Sequence, residues 1–526
     1  MTSRDLCAHV ERRWPGQTAC DVEAGPASCD VACAPALLPE LCGALFGEWG
    51  YSFAGLTVEE EATQWQLRYA FYGEGEAGWV HVRASLPSGE RTVPTIVKAV
   101  HAADWHEREA EDMFGLIFEG HPRLGDFVLH DEAWQEGVEP MRHRFSAATP
   151  VTDRRPNTDW RPRRVVEAAG AFAMPVGPVF SGLAEPAHFA LETVGEDVIR
   201  AVPRLFFKYR GVEKLAEDKP VDAVLLLAER FAATTAFAHG LAFSQAVETI
   251  CGAAVPPRAQ VLRVFVAELE RFRHHVGAIT AICESTALLV AASQTAMLEE
   301  DLLRVSGALT GHRYLFGLVV CGGLATDLDD AACRQALQRS RDVLHALDRL
   351  ERRLRLSSSF LDRLEEVGII AEPDAREVGL VGPIARASGI ARDLRRTQPY
   401  GAYGAFAFDV PVEREGDGYA RLRMLFAEAR QSVRLMEQAA AALASGPVAT
   451  TVHPRTGAAL GWVEAPRGAA FHWVRLHEDA TVARYHVVSP SFINWLGFHL
   501  GVERFAFQDF PIILSTLDLS VAETDR

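Results

Sequence analysis

At roughly 150 residues per domain, a chain of 526 residues has room for two to four domains, so one small module is excluded. With 48% hydrophobic and 23% charged residues and a mean hydropathy of +0.01, the composition is that of an ordinary globular chain and speaks against extensive disorder, collagen or a bare coiled coil. Asp and Glu number 70 against 53 Lys and Arg, and the resulting charge of −17 repels phosphate backbones, which argues against a nucleic-acid partner.

Nine cysteines are too few and too irregular for a disulfide scaffold. Five of them fall in the first 42 residues, Cys7, Cys20, Cys29, Cys33 and Cys42, without any C-x-x-C pair, so free thiols are expected there rather than zinc or an iron–sulfur cluster. The opening MTSRDLCAHVERRWPG has no apolar core of a signal peptide, and a reducing cytoplasm is the expected compartment. No uninterrupted apolar run reaches the ~18 residues of a membrane span.

Over residues 57–98 apolar and polar residues tend to alternate, as in 66–71 and 79–86, which predicts a small antiparallel sheet. Within it Gly73-Glu74-Gly75-Glu76-Ala77-Gly78 matches G-x-G-x-x-G. A dinucleotide site needs a helix after that motif, and here a strand pattern comes next; two glutamates would also repel phosphate. The spacing therefore predicts a hairpin turn and no NAD site. Residues 102–114 switch to helical spacing, with Trp105, Ala110, Met113 and Phe114 as the buried face.

These elements make residues 1–150 an α+β domain. Residues 151–170 carry five arginines between Arg154 and Arg164 and read as a solvated linker, and 171–526 form the second domain. Its long apolar periodicities predict helices over 221–251, 258–309, 330–367 and 418–443. In the last, Leu422, Leu425, Phe426, Ala429, Val433 and Met436 share a face. Residues 471–476 and 484–488 predict a hairpin. No G-x-S-x-G elbow is present, and no hydrolase chemistry is assigned.

Two blocks carry a family resemblance. HAADWHEREAEDMFGLIFEGHPRLGDFVL, residues 101–129, resembles the signature of the C subunit of complex I (NADH–quinone oxidoreductase). GPVFSGLAEP at Gly177, YRGVEKLAE at Tyr209, FAHGLA at Phe237, ELERFRHHVG at Glu268, ARASGIARDLR at Ala385, EAPRG at Glu464, SPSFINW at Ser489 and DFPIILSTLD at Asp509 stand in an order that resembles the D subunit of complex I and its relatives. Those relatives are the large subunits of membrane-bound nickel–iron hydrogenases of the formate hydrogenlyase type, and ARASGIARDLR and EAPRG lean towards that branch. The resemblance implies a fused C/D homologue of complex I. Its fold would be an α+β N-terminal domain followed by a mainly α-helical, hydrogenase large-subunit-like domain with small β hairpins.

In the hydrogenase branch the resemblance implies a nickel–iron site held by two C-x-x-C pairs, because soft thiolates bind both metals strongly. Here the flanking Glu229-Arg230 and Thr524-Asp525-Arg526 are present, but the ligand positions read Ala232, Thr235, Ser520 and Glu523. Alanine offers no donor and hydroxyls are poor ligands for a soft metal, so no metal and no hydrogenase activity are expected. A chain ending at Arg526 suits a subunit with no metal insertion to complete. Glu185, Glu229, Arg230, His239 and Glu523 are candidates for a polar pocket, with an Arg230–Glu523 ion pair expected in place of the metal.

The complex I branch implies a quinone site using a His and a Tyr, whose positions here read Ala184 and Ala233. A nearby acidic position reads Ser285, with Glu284 adjacent. The resemblance as a whole implies a peripheral subunit on the cytoplasmic face of the inner membrane that binds no cofactor itself. An iron–sulfur small subunit would hold the cluster, integral membrane subunits would be the other partners, and a quinone is a candidate ligand. Two roles stay open: electron transfer towards quinone or its coupling, and a non-catalytic structural or proton-coupling subunit.

Overall fold

The N-terminal helix α1 (Ser3–Arg13) begins with a capping box in which the Thr2 hydroxyl accepts the Asp5 N–H and Asp5 accepts the Thr2 N–H. It buries Leu6, Cys7 and Val10. The computed structural model describes residues 2–526 apart from 24–27, 132, 136, 147, 149–168 and 180–184, so most of the expected linker lies outside the described residues, as does Ala184.

α1 packs on β1 (Thr18–Glu23) and β2 (Ser28–Cys33), which belong to a five-stranded sheet with β3 (Ser52–Glu60), β4 (Gln64–Tyr72) and β5 (Trp79–Pro87) in the order β1-β2-β5-β4-β3. Within this sheet only the β2–β5 pair is parallel. The expected meander is β3–β5, and GEGEAG is its hairpin turn, with Gly75 and Gly78 at φ 59° and 60°. The strands β1 and β2 carry no clean alternation and were not legible. Cys7 is bonded to Cys29, which corrects the expectation of free thiols. The two meet because a helix lies across a strand, a tertiary contact that spacing along the chain does not report.

Helix α2 (Asp104–Phe114) buries Trp105, Ala110, Met113 and Phe114 as expected and stops at Gly115, whose φ of 73° suits glycine. A three-stranded sheet comes next, β6 (Ala171–Val176), β7 (His188–Val194) and β8 (Asp197–Arg204). The helical half contains α3 (Val221–Arg230), α4 (Ala236–Cys251), α5 (Pro257–Ser285), α6 (Leu289–Thr310), α7 (Asp330–Leu354) and α8 (Gly418–Ala441), with α8 lying along α5. The pattern over 221–251 therefore splits at Phe231–Thr235, that over 258–309 splits at Thr286–Leu288, and that over 330–367 ends its long helix at Leu354. The second break holds no Gly or Pro; Ala287 turns it with a φ of 60°. The expected face of α8 is buried throughout.

Near the end, β9 (Gly457–Ala465), β10 (Gly468–Leu476) and β11 (Val482–Val488) form an antiparallel sheet that contains the expected hairpin and adds β9. One side packs on α4 so closely that a Cβ on Gly461 would sit 1.9 Å from the Ala242 carbonyl oxygen. The other side meets the N-terminal sheet, with Trp79 4.9 Å from Trp462 and 5.8 Å from Phe471, ring centre to ring centre. Arg475 grips Glu59 through bonds of 2.8 and 2.6 Å. A last short helix, α9 (Val521–Asp525), is buried, and the adjoining Arg526 pairs with Glu109 of α2.

One apolar core thus runs from Leu6 through the N-terminal sheet to Val521. Each large side chain buried across that junction contributes roughly 1.5–3 kcal/mol. Co-expressed as two pieces, 1–150 and 171–526, the chain should yield one stable one-to-one complex on size exclusion. Two monomers that do not associate would contradict the shared core.

Candidate functional site

The site is framed by a buried charge cluster built from the strings ELER, ARASGIARDLR and EAPRG. Arg395 bonds Glu268 at 2.9 Å and Asp393 at 2.6 Å, while Arg386 bonds Glu428 at 2.7 Å and Glu464 at 2.8 Å. Arg271 lies 3.5 Å from Glu268 and 3.9 Å from Glu428, and Tyr403 and Ser432 donate to Glu268. Glu270, between these residues on α5, accepts the N–H groups of Phe237 and Ala238 at 2.8 and 3.0 Å. It thereby satisfies orphan donors at the start of α4 and fixes where that helix begins.

Beside that helix start Thr235 meets Glu523, two of the positions that the resemblance implies should lie together. Glu523 is wholly buried. Its Oε1 accepts from the Thr235 hydroxyl at 3.3 Å and from His239 Nε2 at 3.1 Å, and its Oε2 accepts from the Ser491 hydroxyl. Burial pushes its pKa upward, but the His239 hydrogen bond, the Arg467 charge and Ser491 outweigh that and hold it at about 2.

From Glu523 a hydrogen-bonded chain runs inward: His239 Nδ1 to His472 Nε2 at 3.0 Å, then His472 Nδ1 to the Tyr485 hydroxyl at 2.9 Å. One assignment of hydrogens satisfies every link with both histidines neutral: Tyr485 donates to His472, His472 to His239, and His239 to the carboxylate. Burial and the neighbouring His239 push the His472 pKa well below the usual imidazole range, in keeping with a neutral ring. Ser520 caps α9 by accepting the Glu523 N–H at 3.2 Å and donates to Glu185 at 3.1 Å. Arg467 reaches the Thr234 hydroxyl at 3.4 Å and the Asp518 carbonyl at 2.7 Å; Asp518 also holds His274 at 2.7 Å.

Of the expected pocket residues, Glu185, His239 and Glu523 converge. Glu229 is buried but turns to the Gly317 N–H, which both its oxygens accept at 3.1 Å. Arg230 is exposed, its guanidinium 5.7 Å from the Phe316 ring centre, so the expected Arg230–Glu523 ion pair is overturned. The reason is helical rotation: Phe231 takes the inward direction, 4.5 Å from His239, and its neighbour points away. Ala233 is exposed, Ser285 bonds back to the Ile282 carbonyl, and Glu284 is exposed.

Sequence reasoning missed His472, Tyr485, Ser491, Arg467, Asp518 and His274 as site residues. Four of them lie inside quoted strings, but His472 and Tyr485 stand in an apolar hairpin where nothing marks the face turned to α4.

For nickel–iron the donor set does not fit. The four ligand positions supply a methyl group, two hydroxyls and a carboxylate, all hard or inert, and the three oxygen-bearing side chains are engaged by protein.

The family profiles of the respiratory-chain NADH dehydrogenase 30 Kd and 49 Kd subunits match residues 31–151, and 290–456 with 448–526, respectively. Formate hydrogenlyase subunit 5 of Escherichia coli (strain K12) is 32% identical over 470 residues, covering 86% of this chain and 80% of the relative. Hydrogenase-4 component G of the same organism is 28% identical over 530 residues, covering 99% and 92%. The C/D subunit of NADH-quinone oxidoreductase from Bdellovibrio bacteriovorus is 29% identical over 393 residues, covering 73% and 69%. Among solved structures, a chain of the membrane-bound sulfane sulfur reductase, an archaeal respiratory membrane complex, superposes with a TM-score of 0.65 at 26% identity, covering 69% of this chain and all of that one.

Fold and site define an α+β domain joined to the helical scaffold shared by complex I and membrane-bound hydrogenases. The chain belongs to the family of fused C/D proteins of complex I, together with the formate hydrogenlyase and hydrogenase-4 large subunits.

Two outcomes are expected. Arg386→Met takes from Glu428 and Glu464 the cation that bonds both and should cost about 3–5 kcal/mol, read from denaturant unfolding. Because the folded pKa of Glu523 lies below its ordinary 4.5, its contribution is present above that pH and fades as pH falls towards 2. Glu523→Gln should therefore lower the melting temperature most at neutral pH, with the gap to the unaltered chain narrowing at about pH 3. A gap independent of pH would contradict an ionised Glu523.

Proposed function

We propose that this protein is a peripheral subunit of a membrane-associated oxidoreductase complex, on the cytoplasmic face of the inner membrane. An iron–sulfur small subunit and integral membrane subunits are its partners there. In this reading it carries no nickel–iron centre and binds no cofactor of its own. The relatives named as subunits of formate hydrogenlyase, hydrogenase-4 and NADH–quinone oxidoreductase support membership in such a complex. No described helix is long and apolar enough to cross a membrane, in keeping with a peripheral place.

The observation that supports a site without the metal is Glu523, which stands where the resemblance implies a ligand and whose oxygens are met by Thr235, His239 and Ser491. A buried carboxylate joined to two histidines and a tyrosine suits proton handling rather than hydrogen activation. A proton arriving at the Tyr485 oxygen would release the hydroxyl proton to His472 Nδ1. His472 would then pass its Nε2 proton to His239 Nδ1, leaving a charged imidazole at His239 against the ionised Glu523. Each step exchanges one hydrogen bond for its mirror image, with the heavy atoms already 2.9–3.0 Å apart. This favours a coupling role over direct quinone reduction, since the positions that would hold a quinone, Ala184 and Ala233, carry no donor.

Elemental analysis of the purified native complex tests the reading. Iron should be accounted for by clusters in the partner subunit, nickel should be absent, and hydrogen uptake should be nil. Stoichiometric nickel retained by this chain would overturn it.

A further inference from the structure

The N-terminal cysteines stand apart from the site above and have no part in it. β1 and β2 pair with Cys20 opposite Val31 and Val22 opposite Cys29, which places Cys20 and Cys29 diagonally on one face. α1 covers that face and contributes Cys7, which is bonded to Cys29. The three sulfurs lie within 4.8 Å of one another, Cys7 and Cys29 buried and Cys20 half-buried.

Three sulfurs around one zinc ion, at about 2.3 Å each in tetrahedral geometry, stand about 3.8 Å apart, so the Cys7 and Cys29 sulfurs, bonded here, would part on reduction to complete the triangle with Cys20. The surrounding charge suits a cation. Glu11 and Asp30 both act on the Cys20 thiol as nearby negative charges. Glu11 lies one helical turn beyond Cys7 on α1.

We propose that Cys7, Cys20 and Cys29 form a zinc site in the reduced chain, and that the Cys7–Cys29 disulfide is its oxidised, metal-free form. Reduction needs a dithiol, which gives two electrons and two protons to the sulfur–sulfur bond; that bond breaks, two thiols form, and the dithiol closes to its own disulfide. Zinc then displaces the three thiol protons to solvent and takes three thiolates, leaving its fourth position to water. The ion would tie α1 to the edge strand β1 and to β2. Oxidation by a disulfide-forming oxidant would release it. C-x-x-C spacing is not needed, because each ligand comes from a different element.

The full-length chain, reduced anaerobically with a dithiol and freed of the reductant, should bind one equivalent of cobalt(II) with a thiolate-to-cobalt absorption band that zinc abolishes. The oxidised chain should show no band. Cys20→Ser should remove it, whereas Cys321→Ser, in the helical half, should leave it intact. As a check free of substitutions, zinc should shield Cys7, Cys20 and Cys29 of the unaltered reduced chain from alkylation, read by mass spectrometry, and leave Cys321 unshielded. Absence of the band in the reduced chain, its survival in Cys20→Ser, or equal alkylation with and without zinc would each overturn the proposal.

Discussion

The structure turns on a cluster of charges sealed from water. Arg271, Arg386 and Arg395 stand among Glu268, Glu428, Glu464 and Asp393, all buried. Taking such groups out of water is costly, and replacing a well-paired cluster with apolar side chains is often neutral or stabilising. Its importance lies in what it forbids. α5, α8, β9 and the segment around Arg386–Arg395 fit together in one register, because any slip leaves a charge facing nothing. Burial and the nearby Asp393 raise the pKa of Glu464, whereas Arg386, His275 and Arg271 overcome burial at Glu428 and hold it far below the usual range.

That rigidity is passed to the functional site along a single helix. On α5, Glu268 and Arg271 enter the charge cluster while Glu270 between them caps α4, and His274 one turn on binds Asp518. On β9, Glu464 belongs to the cluster and Arg467, in the adjoining turn, reaches Asp518 and Thr234. The strings that carry the family resemblance are thus two-sided, with one side in the scaffold and the other beside Thr235, Ser520 and Glu523. The charge cluster holds itself together through protein groups alone.

The groups around Glu523 are consistent with that frame. A carboxylate buried alone would take up a proton, yet Glu523 stays ionised because three donors converge on it and Arg467 is near. Its neighbours form an ordered row in which each group gives one hydrogen and accepts one, and such a row can transmit a proton without moving a helix. The thiol cluster under α1 belongs to a different part of the molecule and a different chemistry, soft where this site is hard.

Periodicity in the sequence was enough for the α+β half, the GEGEAG turn, the buried faces of α2 and α8 and the late hairpin, while the joining of Thr235 to Glu523 was implied only by the family resemblance. Each of these depends on neighbours along the chain or on motif order, which the sequence states directly. The breaks at Phe231–Thr235 and Thr286–Leu288, the pairing of β1 with β2, the Cys7–Cys29 bond and the choice of His239 over Arg230 were decided only by tertiary packing. Periodicity records which residues turn inward but not what they will meet there. Glu523 meets His239 because α9 is folded back onto α4, 284 residues earlier in the chain, and Arg230 faces outward because one residue along a helix is a rotation of about 100°.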